Sequence, residues 1–226
     1  MTSVLLLDLD HTLYPSTAPT LAAVDARITR FIETRLELPA DRADQMRRDL
    51  CAAHGTTLRG LEILHGVGRE EYTDFIQDLE DHLMPVPDPR LRAWLTDAAA
   101  RLPTYLFTNA RRDWADRCLG RLGLTDLLAE SPEGPALLGG ILDIDFMEWA
   151  GKPNRAAFEK VERYLSGRHP GAAGFIFADD RLDNLAAARG RGWRTVWVRP
   201  HDAPPGLGAD HRIVDALIDL DPETLE

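Results

Sequence analysis

Four short apolar runs, Val4–Leu7, Thr104–Phe107, 174–178 and 195–198, limit what this chain can fold into more than any other feature. Runs so short and so evenly apolar suit strands covered on both faces. A sheet with one wet face would alternate polar and apolar residues instead. A shorter run, Arg212–Val214, reads as a fifth strand, and helical patterns fall between the runs at 114–122, 155–165 and 184–190. Strand alternating with helix predicts an α/β fold on a doubly wound parallel sheet.

One stretch breaks the alternation. Residues 20–83 have helical periodicity and almost no β-branched runs, with Gly55, Gly60, Gly66 and Gly68 as apparent breaks. Helices are expected at 21–36, 42–54 and 70–82. Pro15 precedes the stretch and Pro85, Pro87 and Pro89 follow it, the punctuation of an interdomain hinge. The reading is an α/β core from 1–14 and 90–226, interrupted by an all-helical cap at 15–89.

The 226 residues, 44% hydrophobic, suffice for one full core with a modest accessory domain. No apolar run approaches the length needed to cross a bilayer, so the expectation is a cytoplasmic protein with no membrane partner. Cys51 and Cys118 form neither a disulfide framework nor a zinc site. A formal net charge of −11 argues against a nucleic-acid polymer as partner, because such binders neutralise phosphates with a basic face. A small phosphorylated ligand stays compatible with that charge, since one metal ion and one or two cations dominate locally while distant acids are screened. Oligomeric state leaves no mark in the sequence.

Polar residues follow the apolar runs in a definite order. Asp8 and Asp10 directly follow the first run and can face one crevice at the strand end, where ligands of open α/β sheets bind. Thr108 and Asn109 follow the second. Alone, they read equally well as helix caps. Lys152 stands before Pro153, and in isolation reads as a solvated loop residue. Asp179 and Asp180 end the most apolar run of all. Adjacent acids at a sheet rim repel unless a cation holds them, which favours a metal site. Asp183 and Asn184 either orient a metal's waters or cap the next helix.

The ordered set of DxDxT, Thr, Lys and DD resembles the haloacid dehalogenase superfamily across 1–14 and about 100–200, and the helical insert is similar to that superfamily's cap. A narrower resemblance, to the pyrimidine 5′-nucleotidase-like branch, rests on DLDHTLY at 8–14, HGTTLRGL at 54–61, FTNA at 107–110 and GKPNRAAFEK at 151–160. His11 departs from the Gly that many superfamily members carry there. The resemblance implies a Mg²⁺-dependent phosphomonoester hydrolase working through an aspartyl-phosphate. It implies Asp8 as nucleophile and Asp10 as proton donor and acceptor, with the Asp10 backbone carbonyl on the metal. Thr108, Asn109 and Lys152 would hold the phosphoryl group, and Asp8, Asp180 and Asp179 would complete the Mg²⁺ site, Asp180 directly. Arg59 is the cap residue chosen to meet the substrate beyond its phosphate.

The implied substrate is a small phosphorylated metabolite, a nucleoside 5′-monophosphate first and a sugar phosphate second. A phosphomutase keeps the same motifs. A dehalogenase of the superfamily has no use for a carboxylate at Asp10, because no leaving alcohol needs a proton. A phosphate-accepting receiver module, the rival from outside enzymes, places its acids differently and lacks a helical insert.

Overall fold

The structure, a computed structural model, describes residues 2–129 and 136–225. The chain divides into two compact units, Met1–Thr17 with Pro85–Glu226, and Ala18–Met84. The helical unit is thus narrower than the expected 15–89. Pro89 does not serve a hinge; it opens a helix whose N-cap, Asp88, accepts from the Arg90 N–H.

The helical unit holds α1 (Pro19–Leu36), α2 (Ala40–His54), α3 (Thr57–His65) and α4 (Arg69–Gln77). Two of the expected helices are α1 and α2. The third ends at Gln77 instead of residue 82, and Asp81–Leu83 forms a separate 3₁₀ turn. The expectation missed α3 because it took Gly60 for a break. Gly60 lies inside that helix, where a Cβ would stand 2.7 Å from Leu50 Cδ2 and 2.9 Å from Leu50 Cβ. Its role is to let α3 approach α2. Thr56 starts α3 by accepting from the Arg59 N–H.

The α/β unit contributes α5 (Pro89–Arg101), α6 (Arg112–Leu122), α7 (Arg155–Arg168) and α8 (Leu182–Arg189). Its six described strands are β1 (Val4–Leu7), β2 (Thr104–Phe107), β3 (Leu138–Leu142), β4 (Phe175–Asp179), β5 (Arg194–Val198) and β6 (Arg212–Val214). All neighbours pair in parallel in the order β3-β2-β1-β4-β5-β6. This is a doubly wound sheet with its topological switch between β1 and β4, where such sheets open a crevice beyond the carboxyl ends of their strands. β3 went unpredicted because Gly139 and Gly140 dilute its apolar pattern. At Gly139 a Cβ would meet the Tyr105 ring at 2.3 Å, so only glycine lets β3 pass β2 there.

Every residue of β1 and β2 is buried, as two-sided cover demands. Ala157, Phe158, Val161 and Leu165 form the buried stripe of α7 and join Phe107, Phe177 and Trp193 in the core. Among the described residues no helix is long and apolar enough to cross a membrane.

Candidate active site

The site begins where β1 stops. Leu7 lies opposite Ala178, and the Asp8 N–H donates to the Ala178 carbonyl at 2.9 Å, so the ladder runs one step past the strand and sets Asp8 level with Asp179. The chain then turns sharply, with the Thr12 and Leu13 N–H groups both donating to the Leu9 carbonyl. His11 adopts φ 59°, a left-handed backbone that favours glycine.

Lys152 joins the distant segments. Its ammonium donates to Asp8 Oδ1 at 2.8 Å, to Asp179 Oδ2 at 2.8 Å and to the Phe107 carbonyl at 2.7 Å, which uses all three of its hydrogens. Beneath it lie the rings of Phe107 and Phe177, with centroids 5.0 and 4.9 Å away, an arrangement that favours a cation stripped of water. The lysine is therefore not a solvated loop residue. Asn109 braces its backbone, donating to the Lys152 carbonyl at 2.8 Å and accepting from the Lys152 N–H at 2.7 Å. Asn109 therefore has a bracing role that the sequence did not announce, and this role takes up one of its two amide N–H bonds.

Asp179 is fully buried and its oxygens are heavily engaged. Asn184 donates to both at 3.0 Å and the Arg181 N–H to Oδ1 at 2.8 Å, in addition to Lys152. Of the two readings left open for 183 and 184, Asn184 pins an acid of the site, whereas Asp183 pairs with Arg181. Asp180 has a looser setting, with its Oδ2 3.6 Å from His11 Nδ1. Asp8, Asp179 and Asp180 each offer an oxygen within 4.8 Å of the others.

Burial pushes the Asp8 carboxyl up to about 6 despite the pull of Lys152, with Asp180 and Asp10 adding to the push. Burial likewise raises Asp179 to about 6, and raises Asp180 against the opposing effect of His11. It also works against the charge on Lys152, but Asp179 and Asp8 outweigh it and hold that pKa above the usual lysine value. Three acids facing one ammonium leave two negative charges uncompensated when ionised. All-oxygen donors with that excess fit a hard divalent cation.

Asp10 stands apart from this network. Its Oδ1 accepts from the Tyr14 hydroxyl and, at 3.1 Å, from the Trp114 indole N–H. Thr108 is buried, and its Oγ1 accepts from the Ala110 N–H at 3.0 Å, which leaves the hydroxyl hydrogen to donate elsewhere. Arg59 belongs to the helical unit, half exposed in the first turn of α3 and 3.6 Å from Glu62 of the same helix. His65 and His82 are exposed, and Trp94, Trp193 and Trp197 are core residues.

Sequence reasoning missed Tyr14 and Trp114 as site residues. Tyr14, four positions past Asp10 in the same turn, was within reach of a local argument. Nothing in the sequence pairs Trp114 with an acid 104 positions away. A cavity of about 490 Å³ in the α/β unit is lined by His11 and Thr12 together with Val198, His201 and Ile218. Asp8, Lys152, Asp179 and Asp180 do not line it, but His11, which faces Asp180, does.

No family model matches the sequence. Over 139 residues the chain is 27% identical to Phosphate metabolism protein 8 of Saccharomyces cerevisiae, matching 55% of this chain but 41% of that protein, so it spans about two fifths of that relative's length. Solved structures align over nearly the whole chain. The HAD-hydrolase YfnB of Bacillus subtilis, solved bound to magnesium, superposes with TM-score 0.61 at 16% identity, over 100% of this chain and 99% of that one. A HAD phosphatase from Thermococcus onnurineus gives 0.59 at 18% identity over 96% and 95%. An L-2-haloacid dehalogenase from Xanthobacter autotrophicus, with chloropropionic acid covalently bound, gives 0.57 at 17% identity over 100% and 98%.

Proposed function

We propose that this chain, which has the fold of the haloacid dehalogenase-like hydrolases, is a Mg²⁺-dependent phosphatase that transfers the phosphoryl group of a small phosphomonoester to Asp8. The observation that carries this reading is Asp10, a carboxylate held two residues past the nucleophile and outside the lysine network that engages Asp8. A halide leaves as an anion and needs no proton, so a dehalogenase gains nothing from such a group. An alkoxide does need one.

In this reading an Asp8 oxygen attacks phosphorus while the bond from phosphorus to the ester oxygen breaks, and the Asp10 proton passes to that oxygen. Water then attacks the aspartyl-phosphate, giving its proton to Asp10 as the bond from phosphorus to Asp8 breaks and inorganic phosphate leaves. Lys152 keeps Asp8 oriented and offsets charge beside it. Thr108 donates its hydroxyl hydrogen to a phosphoryl oxygen. Asp8, Asp180 and the Asp10 carbonyl would hold Mg²⁺, with Asp179 direct or through water, and the ion would supply charge neutralisation at the phosphoryl oxygens.

The preferred substrate is a nucleoside 5′-monophosphate, supported by the resemblance of 8–14, 54–61 and 107–110 to the pyrimidine 5′-nucleotidase-like branch. Arg59 is the residue proposed to meet the nucleoside. The test is phosphate release from p-nitrophenyl phosphate and a panel of pyrimidine nucleotides and sugar phosphates, with Mg²⁺ and with chelator. Release only with Mg²⁺, lowered about 10³-fold or more by Asp8→Asn, is the expected result. Turnover by Asp8→Asn at the wild-type rate would remove the nucleophile and the reading with it.

A further inference from the structure

We infer that Tyr14 and Trp114 are positioning residues that clamp Asp10 and so set the proton transfer to the leaving group; the inference rests on the phosphatase reading above. Both donors converge on one oxygen, Oδ1. An oxygen that already accepts two hydrogen bonds is poorly placed to carry a proton as well. The clamp therefore leaves Oδ2 as the proton-carrying atom and fixes where it points.

The two donors come from well-separated parts of the sequence, 4 and 104 positions after Asp10. Tyr14 closes the turn that follows β1. Trp114 lies in the first turn of α6, on the connection from β2 that also carries Thr108 and Asn109. Both residues are 4% exposed, so packing fixes the orientation of their rings. A carboxylate on a tight turn would otherwise sample several rotamers. Proton transfer in the transition state needs a donor held near hydrogen-bond distance, so losing that orientation lowers the rate without removing the acid.

The step that would suffer is cleavage of the bond to the ester oxygen, and its sensitivity to leaving-group basicity is the signature to measure. Substituted phenyl phosphates, from p-nitrophenyl to p-methoxyphenyl, share a shape but release phenolates of rising basicity. With working proton donation, kcat/KM is nearly level across the series. In Tyr14→Phe and Trp114→Phe we expect kcat/KM to stay within about threefold of wild type for p-nitrophenyl phosphate and to fall about tenfold or more for p-methoxyphenyl phosphate. In an Asp10→Ala background, adding Tyr14→Phe should cost less than about twofold, because nothing remains to position.

A uniform fall across the series, or an equal cost in the Asp10→Ala background, means the two rings act only in packing and overturns the proposal. The Trp114 indole ¹⁵N–H resonance gives a readout independent of turnover. It should move when Asp10 is replaced by Ala, and an unmoved resonance overturns the clamp even in a fully active enzyme. Conversely, absence of phosphate release by wild type with a resonance that does move rejects the phosphatase reading and leaves the hydrogen bond itself established.

Discussion

Lys152 sets the electrostatic balance of the site at the residue scale. The residue is 2% exposed, and its ammonium bridges two carboxylates that burial alone would drive toward protonation. Replacing it with Met strands both acids, and breaking a buried pair costs about 3–5 kcal/mol. The loss should depend on pH in a definite direction. Asp8 and Asp179 have folded pKa values near 6, above the ordinary value of 3.8. Stability tied to them is complete below that ordinary value and is lost as pH rises through the folded one. Metal-free Lys152→Met should therefore unfold at lower urea than wild type at pH 7.5 and recover part of the difference at pH 5.5. Urea midpoints at both pH values check this, and an equal deficit at each would assign the loss to packing instead of charge. His11 is a second residue-scale feature. Its left-handed φ explains why glycine suits the position, and its imidazole faces Asp180.

At the scale of elements, glycine is used where backbones pass close together. Gly60 holds the contact between α3 and α2, and the same residue misled the sequence reading because a glycine in a helical pattern is indistinguishable from a stop. Gly60→Ala would add a methyl 2.7 Å from Leu50 Cδ2, too close without movement of one helix. We expect destabilisation of about 1–3 kcal/mol, although alanine is the better helix former, and a thermal melt of the helical unit's signal would record it. A gain in stability would mean that Leu50 yields easily. Gly139 has the matching role between β3 and β2, and its neighbour Gly140 helped to hide that strand. By contrast β1, β2 and the stripe of α7 were legible in outline, since complete burial and a 3.6-residue period leave plain marks on composition.

For the whole molecule, the α/β unit is discontinuous in sequence, and its central strand β1 pairs with β2 and β4 from far along the chain. The site exists only in the assembled sheet, so any ligand of the acid cluster acts as a ligand of the folded state. If Mg²⁺ is that ligand, it stabilises the fold by about 2.7 kcal/mol at one hundred times its Kd. Thermal melts should rise with Mg²⁺ concentration for wild type and much less for Asp180→Asn; identical responses would remove Asp180 from the metal site. The pH profile follows from the same linkage. In the proposed mechanism Asp8 must be ionised to attack, so kcat/KM should fall on the acid side near pH 6 at low Mg²⁺. Added Mg²⁺ competes with the proton and should carry that limb to lower pH, and a limb insensitive to Mg²⁺ would separate Asp8 from the ion.

The sequence by itself determined the class of fold, the helical insert and the order of Asp8, Asp10, Thr108, Lys152, Asp179 and Asp180. Local forces write these features: strand ends expose polar residues, and short apolar runs demand two covered faces. Only the tertiary structure decided which partners each of these residues has. Lys152 reaches Asp8 across 144 positions, Asn109 braces the Lys152 backbone from 43 positions away, and Trp114 leaves the anonymous core to hold Asp10. Hydrogen-bond partners of that kind depend on distances in space that no local pattern encodes, because they are set when parallel strands bring distant loops to one edge of the sheet.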